Sequence, residues 1–232
     1  MPNGRTVGRS VRSAEMAEFA TAHQVWDKYW ADPAARAGWL EPEPFVVSAL
    51  SLLRERGITH VLDLGCGLGR HAHYFASQGF ACVGVDASPA GIAQAQRAAE
   101  AAALSIDYRV GQFRELPFAD ATFGLAIAWN VVYHGDGQTV RQVIAEVHRV
   151  LAPGGLYLGT MLSKRNQGYG VGEQVAQDTF IVPDDPADKA YPHFYCDAAT
   201  LLHLHKGFEV LTLRDRDQSP GHAHWEFIFE RS

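Results

Sequence analysis

Cysteine is scarce in this chain, and long apolar or basic runs are missing. Its three cysteines, Cys66, Cys82 and Cys196, stand far apart with no CxxC pair. Cys66 and Cys82 fall in apolar surroundings, which reads as buried thiols of a reducing compartment rather than a disulfide framework. No apolar run approaches the roughly 18–20 residues that a membrane helix needs. Arg5, Arg9 and Arg12 are not followed by an apolar stretch, so no secretory signal is expected and a cytoplasmic address follows. No run of Lys or Arg occurs, and the formal net charge is -6. The electrostatic footprint of a nucleic-acid or acidic-membrane binder is therefore lacking. Internal repeats and low-complexity tracts are absent too.

What is present is an ordinary globular composition, 47% apolar and 20% charged, which argues against a disordered chain. The 232 residues suffice for one sizeable domain and would cramp a second. Residues 1–12 are polar and read as a loose tail, with one domain over 13–232. Phe19, His23, Trp26, Tyr29 and Trp30 recur at roughly helical spacing over 14–31. Prolines then precede a second helix at about 44–56, ending at Gly57. Strands are expected at His60–Leu64, Ala81–Asp86, Ser105–Val110, Phe123–Trp129 and Gly155–Met161, alternating with helices at Arg70–Gln78, Pro89–Ala103 and Thr139–Val150. That alternation is the pattern of a parallel sheet covered on both faces. A helix at Ala198–His205 and two closely following strands, Phe208–Arg214 and Ala223–Glu230, predict an antiparallel hairpin at the sheet edge. Residues 162–196 form a long Gly/Asp/Pro-dotted insert of the kind that covers binding sites.

The densest signal is Val61-Leu62-Asp63-Leu64-Gly65-Cys66-Gly67-Leu68-Gly69-Arg70-His71. An apolar strand carrying Asp63 runs through Gly65, Cys66, Gly67 and Gly69 into a helix, letting the backbone press against a small polar ligand. A dinucleotide fingerprint would need glycine at position 70, which is Arg. Pyrophosphate is thus disfavoured and a ligand with an amino-acid end fits better. Its carboxylate can use amides at the helix N-terminus, and Asp63 can help hold its ammonium through the backbone or a water. Asp86, with Ala87 after it, ends the second strand, where an acid can accept both hydroxyls of a ribose. The alternative role, capping the next helix, is already filled by Ser88.

This stretch resembles the first motif of the class I S-adenosylmethionine-dependent methyltransferases. Val110–Phe118 is similar to that family's adenine-binding turn, and Leu151-Ala152-Pro153-Gly154-Gly155 to its turn into the fifth strand, so the resemblance spans about residues 55–161. It implies an α/β, Rossmann-like, doubly wound seven-stranded sheet, mostly parallel with an antiparallel edge strand, and an N-terminal helical lid over 13–57. It also implies S-adenosyl-L-methionine as cofactor. Where the family usually has an acid for the adenine amino group, this chain has Gln112, whose amide oxygen can still accept, and Phe113 could pack on the purine. The family's aromatic–Asp pair at the fourth strand is altered to Phe123-Gly124.

Ligands of such sheets lie beyond the carboxyl ends of the strands, so Trp129-Asn130-Val131-Val132-Tyr133-His134 should border the methyl group. His134 and Asn130 are the polar candidates for catalysis, with Tyr29 from the lid; in many relatives a His at the place of His134 is structural. Trp30, Tyr133, Asn166, His193, Tyr195, His222 and His224 are candidates for substrate contact. His222-x-His224 on a strand would set both rings on one face, near His193 and Cys196. No carboxylate accompanies them at a recognisable zinc spacing, so no metal is expected. The insert and the late His224-Trp225 loosely resemble the tellurite-resistance and thiopurine branch. The leading expectation is transfer of a methyl group to O, N, S or a chalcogen of a small molecule, by a monomer or homodimer. A quinone- or lipid-precursor C/O-methyltransferase is the alternative within the fold and would need a larger, more apolar pocket. A non-catalytic cofactor-binding module and a protein-methylating enzyme are the others.

Overall fold

Short apolar runs set the sheet, and its central strands are buried on both faces. The computed structural model describes residues 22–232. The expected tail, Phe19 and the first part of the aromatic helix lie outside the described residues. The strands are β1 His60–Leu64, β2 Ala81–Asp86, β3 Ile106–Val110, β4 Phe123–Ala128 and β5 Leu151–Ser163. They are joined by helices α5 Arg70–Ser77, α6 Pro89–Ala101 and α7 Gly137–Val150. The order β3-β2-β1-β4-β5 is parallel throughout, with Leu62 opposite Val83 and Ala126, and Ala126 opposite Tyr157. Side chains alternate between faces. Val61, Leu125, Ile127, Leu156 and Leu158 pack with α5 and α6, whereas Leu62, Leu64, Ala126 and Tyr157 pack with Val140, Val143, Ile144 and Val147 of α7.

Beyond β5 the expected hairpin closes the edge. β10 Ala223–Arg231 runs antiparallel to β5, and β9 Phe208–Asp217 pairs outside it. The seven strands read from the sequence are therefore all found. Three more come from the insert: β6 Glu173–Ala176, β7 Thr179–Ile181 and β8 His193–Cys196, followed by α8 Ala198–Leu204. β8 pairs with β5 at Leu162 and Ser163, where β10 already occupies the opposite edge. It therefore continues the β4 side of β5, past the last β4 pair at Ala128 and Gly159. The insert is strand-built at the carboxyl edge, a placement no local periodicity signals.

The N-terminal segment is α1 His23–Ala31, α2 Pro33–Arg36, α3 Pro44–Val47 and α4 Leu50–Glu55. The single helix expected at 44–56 is divided at Ser48-Ala49. There the Ser48 hydroxyl donates to the Phe45 carbonyl at 2.7 Å and the Ala49 amide reaches only three residues back. Such local bonds compete with the regular ladder. None of the described helices is long and apolar enough to cross a membrane.

Packing of α1 on α6 is directed by one acid. Asp27 Oδ1 accepts from the Ser88 hydroxyl at 2.7 Å and from the Ala90 amide at 2.8 Å. Ser88 itself caps α6, accepting from the Gly91 amide at 2.9 Å. A carboxylate at this helix start satisfies an orphan donor and opposes the positive end of the dipole. Asp27→Ala is expected to cost about 1–2 kcal/mol of local stability. Amide hydrogen exchange over residues 23–31 should accelerate while β1, β4 and β5 stay protected. Unchanged protection of α1 would show that its aromatic packing alone holds it.

Candidate active site

The glycine loop after β1 is built for close approach. Gly65 (φ +68°) and Gly67 (φ +51°) are both left-handed, and a Cβ on Gly65 would stand 2.3 Å from a Val131 methyl. A Cβ on Gly67 would press on the Trp30 indole at 3.0 Å, so α1 lies directly over the loop. The Gly65 and Cys66 amides donate to Val85 O at 2.7 and 3.1 Å, tying the loop to β2. Burial, aided by Asp63 and Asp86, pushes the Cys66 thiol well above its usual range, so it is not a thiolate nucleophile. All three cysteines are free and buried; burial of Cys66 and Cys82 was expected from the sequence.

Gly69 stands at the N-cap of α5 and has no side chain to cap it. Asp63 does so through space: its Oδ2 accepts from the Ala72 amide at 3.1 Å, and its side chain lies beneath the loop at 1% exposure. Burial pushes Asp63 up to about 7, against the pull of the Ala72 amide and Arg70. Asp86 is fixed from two sides, Oδ2 accepting from the Gly67 amide and Oδ1 from the Ser88 amide, each at 2.8 Å. An ionised carboxylate has about four acceptor positions, so each oxygen of Asp86 keeps one. Burial raises its pKa, the Ser88 and Gly67 amides lower it, Asp27 raises it and His23 lowers it.

At the end of β4 the chain turns through Asn130 in the left-handed region (φ +59°). Its amide donates to Thr160 Oγ1 at 2.7 Å, and that hydroxyl donates back to Asn130 Oδ1 at 2.9 Å. Nδ2 of Asn130 is 3.3 Å from Gln218 Oε1. This turn brings Tyr133 and His134 alongside β8, where Phe194 N donates to Tyr133 O at 2.9 Å and His134 faces His193 across a single bridge. His134 Nε2 lies 3.4 Å from Asp188 Oδ2, and His193 Nε2 lies 3.5 Å from the same oxygen. Burial pushes His134 down to about 4, outweighing Asp188, so the ring is neutral at neutral pH.

These pieces enclose one cleft. Of the residues singled out in the sequence, Gly65, Cys66, Gly67, Asp86, Ala87, Gln112, Phe113, Trp129, Asn130, Tyr133, His134 and Trp30 line it. Asp63 and Gly69 sit beneath. Tyr29 does not line the cleft; it packs on Trp26 and Trp30. Asn166 and Tyr195 are buried away from the cleft, Asn166 bonding to Ala223 O and the Gly168 amide, Tyr195 against Phe180. His222 immediately precedes β10, which begins at Ala223. It contacts Gln167, while His224 packs near Tyr133. Asp188, Trp39 and His71 were not singled out from the sequence. Asp188 has no spacing relation to His134; only the insert's path brings them together.

The cleft chemistry suits a cationic nucleoside bearing an amino acid. A buried acid, Asp63, and a half-buried one, Asp86, stand at its floor, and the lining is rich in tryptophan. The indole N–H groups of Trp26 and Trp129 are buried without a hydrogen-bond partner among the described residues.

Comparison with known proteins bears on this cleft. A family model described as a methyltransferase domain matches residues 61–155. The ubiquinone biosynthesis O-methyltransferase of Bradyrhizobium sp. (strain ORS 278) is 30% identical over 180 residues, covering 72% of this chain and 68% of that protein. The protein of the same name from Nitrobacter winogradskyi is 28% identical over 207 residues, covering 78% and 76%. The N-methyltransferase NodS from Bradyrhizobium japonicum WM9, solved in complex with S-adenosyl-L-homocysteine, has a TM-score of 0.67 over 91% of this chain and 99% of that one. At 18% identity that likeness is one of fold.

Asp63 makes the fold pH-sensitive in a defined direction. Its folded pKa, about 7, stands above the usual 3.8, so the fold favours the protonated form. That contribution is fully present below about pH 4 and is lost as pH rises through about 7. Asp63→Asn keeps an acceptor for Ala72 and removes the titration. Its thermal midpoint should exceed the parent's above pH 7, by up to about 4 kcal/mol in stability, and match it near pH 4. Parallel melting profiles for the two chains across pH 4–8 would overturn this assignment.

Proposed function

The chain belongs to the class I S-adenosylmethionine-dependent methyltransferases, uses S-adenosyl-L-methionine as its cofactor, and we propose how its cleft divides the work. The ribose hydroxyls bind the remaining acceptor positions of Asp86. The amino-acid end lies along Gly65, Cys66, Gly67 and Gly69, with Asp63 acting through the backbone it caps. Adenine lies by Ala87, Gln112 and Phe113, and Trp129 and Trp30 flank the sulfonium, where an aromatic face attracts a cation. Asp86 carries this reading: two backbone amides hold it at the strand end while it still faces the cleft.

Methyl transfer is then an in-line displacement from a cationic sulfur. The acceptor attacks the methyl carbon, the C–S bond breaks, and its electron pair stays on sulfur. Most of the acceleration comes from alignment and water exclusion, which the lid and glycine loop supply. We assign a small-molecule acceptor to the space bounded by Trp26, Trp30, Val131, Tyr133 and His134. His134 is its polar end. Asn130 is less suited to chemistry, since its side chain is committed to Thr160 and Gln218.

The lining favours an apolar or aromatic acceptor over a compact chalcogen oxyanion: Trp26, Trp30, Trp39, Trp129, Val131 and Val132 are all part of its wall. The names of the two ubiquinone biosynthesis O-methyltransferases support a hydroxyl on such a molecule. Within the proposed small-molecule activity, a phenolic hydroxyl is the acceptor we would try first.

Two measurements test this. Calorimetric titration of S-adenosylmethionine into Asp86→Ala should show at least ~100-fold weaker binding than the parent, from losing two charge-assisted hydrogen bonds. Equal affinity removes the ribose assignment, and tight binding of a nicotinamide dinucleotide by the parent removes the spacing argument with it. Incubation with methyl-labelled cofactor and a panel of phenols, thiols, amines and selenite should label a phenol preferentially. Label confined to selenite would reverse the choice of acceptor.

A further inference from the structure

We propose that His134, Asp188 and His193 form a binding site for a divalent transition-metal ion, of the zinc or cobalt class, at the acceptor end of the cleft. Its ligand atoms all lie within 4.8 Å of one another. The placement deepens the methyl-transfer reading above and rests on it; the binding itself does not.

Three observations carry the site. First, the tautomer of His193 is fixed: Nδ1 stands 2.8 Å from Tyr191 O, and since a carbonyl only accepts, the ring proton sits on Nδ1. In the neutral ring the other nitrogen, Nε2, presents a lone pair. A backbone carbonyl holding the far nitrogen is also how metal-bound histidines are oriented. Second, His193 is 1% exposed, and Nε2 has no hydrogen-bond partner within the described residues. A lone pair turned toward an ionised carboxylate oxygen is repulsive unless a cation stands between them. Third, the spacings suit coordination better than hydrogen bonding. Nitrogen-to-oxygen distances of 3.4 and 3.5 Å are long for charge-assisted bonds, which run about 2.7–2.9 Å. Ligands about 2.0–2.1 Å from a tetrahedral ion stand roughly 3.4 Å apart, as these pairs do.

The donor set selects the ion. Two imidazoles and one carboxylate suit zinc, cobalt or ferrous iron, whereas magnesium and calcium require mostly oxygen. Three protein ligands leave a coordination position open, and His134 lines the cleft. An acceptor hydroxyl in that position would release its proton to solvent at neutral pH, because a bound cation stabilises the oxyanion. The oxygen then attacks the methyl carbon as described.

The test uses the full chain without an affinity tag, stripped with a chelator and then titrated with Co²⁺ and, separately, Zn²⁺. One equivalent of Co²⁺ should give visible absorption of a four- or five-coordinate site, displaced by Zn²⁺ and not by Mg²⁺. His193→Ala and Asp188→Asn should each lose that equivalent and its spectrum, while binding S-adenosylmethionine within about threefold of the parent. Retained cofactor binding shows that the variants are folded. A parent chain that takes up no metal at micromolar concentration, or variants with the parent's spectrum, would overturn the site. Metal binding without cofactor binding would leave the site standing and remove the methyl-transfer reading; the reverse result would remove only the site.

Discussion

One carboxylate joins the parts of the cofactor edge. Asp86 takes an amide from Gly67 in the loop after β1 and another from Ser88 at the head of α6. Ser88 is held in turn by Asp27 of α1. Elements far apart in sequence thus meet within two hydrogen bonds of a single side chain. The glycine loop cannot shift without releasing Asp86, and α1 cannot lift without exposing the head of α6. Trp30 gains its place over Gly67 from this chain of contacts rather than from helix propensity, since α1 is only nine residues long and marginal alone.

The same arrangement concentrates negative charge where water is scarce. Burial raises the pKa of both Asp63 and Asp86; Asp86 adds to the rise at Asp63, and Asp27 to the rise at Asp86. Arg70 is the nearby cation, yet it is bound to Glu43 at 3.1 Å and to the Glu41 carbonyl at 3.1 Å. A buried acid without its own cation opposes folding. It is tolerated because a ligand with a sulfonium and an ammonium restores the balance and, by binding only the folded chain, stabilises it. Stability surrendered in the apo protein is thereby recovered as affinity and selectivity for a cationic ligand.

How much of this was legible depended on distance along the chain. Gly65, Gly67, Gly69 and Asp86 could be read because one βαβ unit contains them, and local spacing dictates which backbone atoms meet. Ser88 as a cap was readable for the same reason. The division of 44–56 turned on a single Ser48 hydroxyl, too small a signal for a periodic pattern. At Asn130 the local pattern does not show that a left-handed backbone and the Thr160 hydroxyl also make it a turn. Asp188 was invisible, because its partners lie 54 residues before it and five after, joined only by the pairing of β8 with β5.

That contrast follows from how the sheet is assembled. The proposed cofactor contacts come from loops between consecutive strands, whose geometry is fixed by the parallel crossover. The proposed acceptor contacts come from helices that precede the sheet and an insert that follows β5, which meet only across the carboxyl edge. β8 can add there because β5 is thirteen residues long and outruns β4. The extra length offers an unpaired edge above the cleft, and an unpaired edge is filled by whatever strand can reach it. Filling it with β8 carries His193 opposite His134 and folds Asp188 between them. Chemistry at the acceptor end is therefore a property of that one added strand, and a change in insert length could replace it without disturbing Asp86 or the glycine loop.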